Sequence, residues 1–469
     1  MSNNSLSRRS FLKFAGGAFG VAALAACAPQ PGAAPAAPAA EGGGDAAPAA
    51  ETGSLWVILD IDFHDTYNEH TQTELQEYAA EKGWELELAD SQGFAAGSGE
   101  TERLSAAVQA GDPPDLVRHT LSAQLLHELD LTQDVSDLVA QIEDVYGPAS
   151  PYLQLTKIFD GAWYSVPYHQ RAGGGYYRKD AFGDAGIDLQ TVRTYDKLRE
   201  ACLAVSTDDF YGWGITINRS GDGNSIIQRI KCGWGAGWQD ETGQYIRTNS
   251  PEMIEAMNFI KDTYLSDEWA GILPPGVLAW NDISNNEAFQ GEVIAYTENA
   301  GTVYAKALVD GLPVAEKTAY LAPPGGPVNQ EFNTIGSKDW FLLKGAANAE
   351  NAKTTILELT GNLDRMDAML ESSPAYAVPA YTNLWEMSAY TQSNEMSLQV
   401  KPAALDDSGI EAGSWPGPPS AALTAIENSG IWNDMVNAFV TGTPVEEAVA
   451  TAHDRMVLVF QEYGLPGEE

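Results

Sequence analysis

The stretch WNDISNNEAFQGEVIAYTENAG, residues 280–301, gathers side chains able to hold a small polar molecule. Trp280, Asn281, Asp282, Glu298 and Asn299 combine one aromatic face with planar amide and carboxylate groups. Such groups bind hydroxyls through paired hydrogen bonds, and an aromatic ring supplies a stacking surface. A catalytic reading finds less. No nucleophile–histidine signature, phosphate loop or metal-ligand run is present, and no catalytic residue or cofactor is expected. His64 and His70 flank Asp65 and Glu69, yet a separation of six does not place both imidazoles on one helical face, so no metal is expected. Among 65 acidic residues, a carboxylate pair of the glycosidase kind cannot be singled out.

These residues need elements to position them. Asn281 and Asp282 can cap a helix whose apolar positions Ile283 and Phe289 lie two turns apart, with Gly291 as its expected left-handed stop. Val293–Thr297 reads as a buried strand ending in the polar turn Glu298–Gly301. In open α/β sheets, ligands sit beyond the carboxyl ends of the strands, where such turns lie. Upstream, Ser54–Leu59 is an opening strand followed by the polar turn Asp60–Asp65, in which Asp62 and His64 are candidate ligand contacts. A helix carrying Leu75, Tyr78 and Ala79 and an alternating strand, residues 84–88, complete a strand–helix–strand unit. The helix Leu104–Ala110 is stopped by Pro113 and Pro114. A short buried strand then delivers Arg118, His119 and Thr120 to the same sheet edge as Glu298.

Several local patterns occur in an order that resembles the extracellular solute-binding proteins of ABC importers, specifically the sugar-binding, maltose-binding-protein-like group. They are GDPPDLV from Gly111, DGAWYSVPY from Asp160, YYRKDAF from Tyr176, TYDKL from Thr194, NNEAFQGEVIAYTENAG from Asn285, NAENA from Asn348 and GTPVEEA from Gly442. Together they span nearly all of residues 53–469. The resemblance implies an α/β periplasmic-binding-protein-like fold, with two α/β lobes joined by hinge crossings and a ligand cleft between them. Lobe 1 would be 54–168 plus 291–335, and lobe 2 169–290 plus 336–469. The strand at Val293 would return the chain to lobe 1. Arg118 and His119 carry over as cleft residues because they follow the "PD" strand; Arg118 could equally be a structural ion pair. Arg171 would face the cleft. Gly173–Gly175 would sit at the hinge, as bending points or as a tight turn. Trp234, in GWGAGW, is either a platform for a sugar ring or lobe core. Trp415, in the rigid WPGPP loop, would lie near the mouth of the cleft. The implied function is capture of a small solute, a sugar or oligosaccharide, by a monomer that delivers it to a membrane permease. An anionic ligand drawing on Arg118, Arg171 and Arg219 is the alternative.

A formal charge of −39 leaves no basic stripe for nucleic acid and opposes adhesion of the folded body to an anionic membrane. The first residues address the chain elsewhere. Ser7–Lys13, SRRSFLK, matches the twin-arginine export pattern, and Phe14–Ala26 is too short an apolar run to span a bilayer. Leu24-Ala25-Ala26-Cys27 resembles a lipobox. Residues 1–26 are therefore expected to be a signal peptide, with Cys27 as the lipid attachment site on the extracytoplasmic face of the bacterial cytoplasmic membrane. Loss of Arg8, Arg9 and Lys13 would make the mature chain three charges more acidic. Residues 27–53 form the lipidated cysteine and a Pro/Ala/Gly tether that cannot build a core. Cys202 and Cys232 remain. Export permits a bridge between them, while folding before export meets reducing conditions first.

Overall fold

The computed structural model describes residues 53–92, 99–332, 335–408 and 410–469. The expected signal peptide, Cys27 and the tether up to residue 52 lie outside the described residues. In chain order the strands are β1 (Ser54–Ile61), β2 (Glu85–Gln92), β3 (Leu116–His119), β4 (Ile158–Phe159), β5 (Ala162–Trp163) and β6 (Val166–Ala172). There follow β7 (Gly174–Arg178), β8 (Tyr211–Trp213), β9 (Ile294–Asn299), β10 (Thr318–Leu321) and β11 (Ile335–Leu342). Among the described residues, no helix is long and apolar enough to cross a membrane.

Two sheets organise two halves. The first has the order β2-β1-β3-β11-β6, the second β10-β7-β9-β8, and β4 and β5 form a separate short hairpin. β1 is an almost uninterrupted apolar run, SLWVILDI, as a strand covered on both faces must be. The helix Asp65–Lys82 buries Tyr67, Thr71, Leu75, Tyr78 and Ala79 along one stripe and connects β1 to its parallel neighbour β2. β2 lies at the edge of its sheet and exposes Glu85 and Glu87 in alternation with half-buried Leu86 and Leu88. The core of the first half includes Val57, Leu59, Trp340, Leu342, Ile356 and Met366. That of the second includes Trp213, Ile230, Trp238, Met257, Trp432 and Phe460. A third cluster, with Tyr176, Phe289, Val303, Tyr320, Trp385 and Val400, joins them.

The strands correct the expected allocation of 291–335 to the first lobe and of 336–469 to the second. β9 pairs with β7 and β8 in the second sheet, and β11 pairs with β3 and β6 in the first. The chain thus stays in the second half through β10 and returns only at β11. The helices Ala349–Gly361 and Leu363–Ser372 contribute to the first core, whereas Ala421–Ser429, Ile431–Val440 and Val445–Glu462 contribute to the second. The first passage also falls later than residue 169, at Gly173, because β6 continues in the first sheet to Ala172.

Two glycine expectations change as well. Gly291 ends the helix Asp282–Gln290 at φ −77, and it is Glu292 that takes the left-handed conformation, at φ 57. Arg178 at 2.9 Å and Lys317 at 2.8 Å hold the Glu292 carboxylate there. Gly174 and Gly175 are strand residues that lie under aromatic rings. A Cβ on Gly174 would come within 2.4 Å of the Tyr320 ring, and one on Gly175 within 2.4 Å of the Tyr296 ring. Glycine is required there for close approach, not for bending. Cys202 and Cys232 are buried free thiols.

Gly175→Ala should therefore destabilise the protein by about 1–3 kcal/mol, the usual range for forcing an extra carbon into a packed site. Urea unfolding checks this; an unchanged midpoint would show that the Tyr296 ring yields freely.

Candidate functional site

Between the two halves lies a cleft of about 630 Å³. The carboxyl ends of β1, β3, β6 and β9 and the amino end of β11 all contribute to its lining, with the start of the helix Gly221–Gly233. The first half provides Asp62, Phe63, His119, Tyr152, Arg171 and Tyr376, among others. The second provides Asp222, Asn224, Gln228, Asp282, Asn286, Asn299, Glu411 and Glu427. Each of these second-half residues carries a carboxylate or an amide.

Behind the first wall is a buried network of charge. Lys338 Nζ lies 2.6 Å from both Asp60 Oδ2 and Asp62 Oδ2, and the lysine is 0% exposed. Arg118 Nε donates to Asp60 Oδ1 at 3.2 Å, its Nη1 donates to Thr71 Oγ1 at 2.5 Å, and its guanidinium lies over the Tyr67 ring. Burial works to raise the Asp62 pKa, but Lys338 and the Tyr376 hydroxyl outweigh it and hold the carboxyl well below the usual range. Tyr376 donates to Asp62 and accepts a hydrogen bond from Arg171. Arg171 is thereby oriented through the tyrosine, and its Nε has no partner among the described residues.

Two helix starts meet at the second wall. Asn281 caps the helix Asp282–Gln290, accepting from Ile283 N at 3.0 Å and Ser284 N at 3.3 Å. The next residue, Asp282, takes the backbone N–H groups of Gly221 and Asp222, each at 2.9 Å. It therefore neutralises the start of the helix Gly221–Gly233. Asp222 in turn accepts from Asn285 Nδ2 at 2.9 Å and Asn299 Nδ2 at 3.1 Å. Burial and the neighbouring Asp282 push the Asp222 carboxyl up to about 8. Burial and the neighbouring Glu411 push Glu427 up to about 7.

Of the candidates read from sequence, Asp62, His119, Arg171, Asp282 and Asn299 line the cleft together. His64, Arg118, Trp234, Trp280, Asn281, Glu298 and Trp415 do not. The reasons are local. Along a strand successive side chains point to opposite faces, so His119 reaches the cleft while Arg118, 1% exposed, turns inward to Asp60. Likewise Asn299 lines the cleft, and Glu298 turns under the sheet to Arg229, 2.5 Å away. Asn281 is occupied as a cap. His64 is buried and pinned to Ser373 Oγ at 2.7 Å, and burial drops its pKa to about 4. Trp234 packs in the second core, 4.6 Å from the Phe259 ring centroid. Trp280 is half-buried against two of the cores, its carbonyl accepting from Thr216 and Asn218. Trp415 offers its carbonyl to Lys231 at 3.1 Å, and its neighbours Ser414 and Pro419 line the cleft in its place. Among the described residues no group of three His, Cys, Asp or Glu side chains could hold a metal ion.

Sequence reasoning passed over Asp222, Glu427, Tyr376 and Lys338. Asp222 had a usable signal: Ser220 followed by Gly-Asp-Gly is a helix start, and Ser220 Oγ accepts from Gly223 N at 3.0 Å. The others join the site through contacts distant in sequence and carry no local mark.

Two sheet-centred halves facing each other across a polar cleft define a binding protein of the two-lobed type. The chain belongs to the bacterial extracellular solute-binding protein family, whose model matches residues 69–360. That is a family of binding proteins, not of enzymes. An arabinooligosaccharide-binding protein of Halalkalibacterium halodurans is 29% identical over 117 residues, 25% of each chain. A mannitol-binding protein of Pseudomonas aeruginosa is 24% identical over 161 residues, 34% of each chain. The chain thus aligns with a quarter to a third of these curated relatives' length. A solved structure of the maltose-bound T. maritima MalE3 protein superposes with a TM-score of 0.73 at 18% identity, covering 87% of this chain and 100% of that one. A D-mannitol-bound solute-binding protein of Agrobacterium vitis gives a TM-score of 0.71 at 16% identity, covering 88% of this chain and 100% of that one. At these identities the likeness is one of fold.

Two outcomes follow from the charges. Lys338→Met leaves two buried carboxylates with one cation, Arg118 beside Asp60, and should cost about 3–5 kcal/mol in urea unfolding; a cost below about 1 kcal/mol would show that water reaches Asp60 and Asp62. A carboxyl whose pKa is raised on folding binds more protons folded than unfolded. Its contribution is therefore largest at low pH and is lost as pH rises through the folded value, here about 7 for Glu427. The melting temperature of Glu427→Gln relative to the parent should rise from about pH 5 to about pH 8. A constant difference would place the Glu427 carboxyl in ordinary solvent.

Proposed function

We propose that this protein is the substrate-binding component of an ABC importer and captures a sugar or polyol outside the cytoplasmic membrane for delivery to the permease. The observation that carries the reading is the matched polarity of the two cleft walls. Asp62, His119 and Arg171 on one face Asp222, Asp282 and Asn299 on the other, a set of planar donors and acceptors suited to vicinal hydroxyls. Its relatives and structural neighbours include proteins that bind arabinooligosaccharide, mannitol and maltose, which favours the same solute class. A ligand touching both walls makes its full contacts only when the halves are together, so binding favours the closed arrangement. Twin-arginine export, lipid attachment at Cys27 and a tether up to residue 53 would keep the receptor within reach of its transporter. The anionic alternative is weakened: Arg118 is buried, and Asp282 occupies the helix start where an anion would sit.

A thermal-shift panel on the chain from Ala28, covering sugars, polyols, sugar phosphates and amino acids, tests this. Ligand at about a hundred times its dissociation constant adds about 2.7 kcal/mol, a readable rise in melting temperature. The expected result is a hit among sugars or polyols that is lost in Arg171→Ala and in Asp222→Ala. A hit confined to phosphates or amino acids would overturn the solute class.

A further inference from the structure

The second wall of the cleft is short of positive charge. Residues 221, 222, 224, 225, 228 and 229, one face of the helix Gly221–Gly233, all line it. The positive pole of that helix is already met by the Asp282 carboxylate, through Gly221 N and Asp222 N. Arg229 is engaged by Glu298 at 2.5 Å. Arg219, at the exposed rim, is directed to the Asn428 carbonyl at 2.7 Å. Across the cleft Lys157 is tied to Asp339 at 2.6 Å, and Arg171 lies beside Tyr376 on the far wall. Facing this depleted set are Asp222, Asp282, Glu411 and Glu427. Glu411 is fixed by the backbone N–H groups of Gly413 and Ser414 at 2.8 and 2.6 Å.

An independent observation points the same way. Asn224, 3% exposed, lines the cleft and gives its amide N–H to Glu427 at 3.4 Å, while its Oδ1 has no partner among the described residues. A buried acceptor of this kind is normally satisfied, and the residue that carries it is one that lines the cleft. Gln228, one turn on, also donates to Glu427.

We propose that this wall receives a protonated amine carried by the ligand, so that the solute is an amino sugar or an amino polyol. The inference rests on the sugar or polyol reading above. An ammonium has three donors and no acceptor, the complement of Asn224 Oδ1 and the Glu427 and Asp222 carboxylates. A cation beside them lets both acids ionise, where each is now held up towards neutrality by burial and a like-charged neighbour. A neutral hydroxyl brings no such gain.

The test is isothermal titration of the chain from Ala28 with matched pairs that differ only by hydroxyl-to-amine exchange: sorbitol and glucamine or glucose and glucosamine, with one exchange each, and cellobiose and fully deacetylated chitobiose, with one on each ring. The amine member of at least one pair should bind about tenfold tighter at low salt, the factor expected of one added charge-assisted contact. That preference should shrink in Glu427→Gln and in Asn224→Ala, and grow in Gln228→Glu, which adds a carboxylate. The gain-of-preference variant keeps the test decisive should either loss variant fail to fold. Neutral members binding as tightly as their amines would overturn the proposal and leave the importer reading standing. No binding by any pair would overturn both.

Discussion

A single buried ammonium holds the first wall of the cleft in place. Lys338 reaches from β11 to two carboxylates at the end of β1, and Arg118 from β3 shares one of them. Three strands are thereby locked at the point where β1 gives way to Asp62 and Phe63. Two cations balance two anions in a region that only Asp62 opens to the cleft, and the arrangement holds only while every member is present. Ion pairs of this kind add little net stability compared with apolar packing. What they confer is orientation. Asp62 fixes the Tyr376 hydroxyl, and Tyr376 aims Arg171, so a side chain in the cleft inherits its position from a lysine that never meets the ligand.

The second wall is organised by a different constraint, the unsatisfied N–H groups at helix starts. Two helices begin at the cleft, and the chain meets the first turn of one with the carboxylate of the other. Asp282 thus serves as a brace between elements far apart in sequence while remaining part of the lining. Asn299 is similar. Its Oδ1 accepts from Gly301 N at 3.0 Å and Thr302 Oγ1 at 2.9 Å, and its amide N–H groups serve Asn286 and Asp222. Residues that shape the backbone and residues that would touch a ligand are the same residues here. That leaves the wall little freedom to rearrange on binding.

Much of the architecture was legible in the chain. The opening strand–helix–strand unit, the short strand after the paired prolines and the helix capped at Asn281 are local, and local periodicity encodes them. Three candidates that lie off the cleft are chain neighbours of ones that line it: Arg118 beside His119, Glu298 beside Asn299, Asn281 beside Asp282. Adjacent residues in a strand point to opposite faces, and nothing in composition says which face meets the cleft until the partner strands are known. The tryptophans lie off the cleft for another reason. Trp234 and Trp280 offer large apolar areas that the second half's core absorbs, and sequence does not mark whether such a ring packs or stacks. The allocation of β9 and β11 to halves depended on pairing between residues over a hundred positions apart, as when Phe341 pairs with Val117.

That last pairing bears on how the chain must be made. β11 lies inside the first sheet, between β3 and β6, yet it is synthesised after all four strands of the second sheet. The first half therefore emerges from the ribosome with a gap between β3 and β6, and the sheet cannot close before residue 342 is made. The second half has its sheet strands complete by Leu321, although its C-terminal helices are still to come. Neither half can finish alone, and contacts of such wide separation make for slow assembly. A chain built in this way reaches its native state only once synthesis is nearly over.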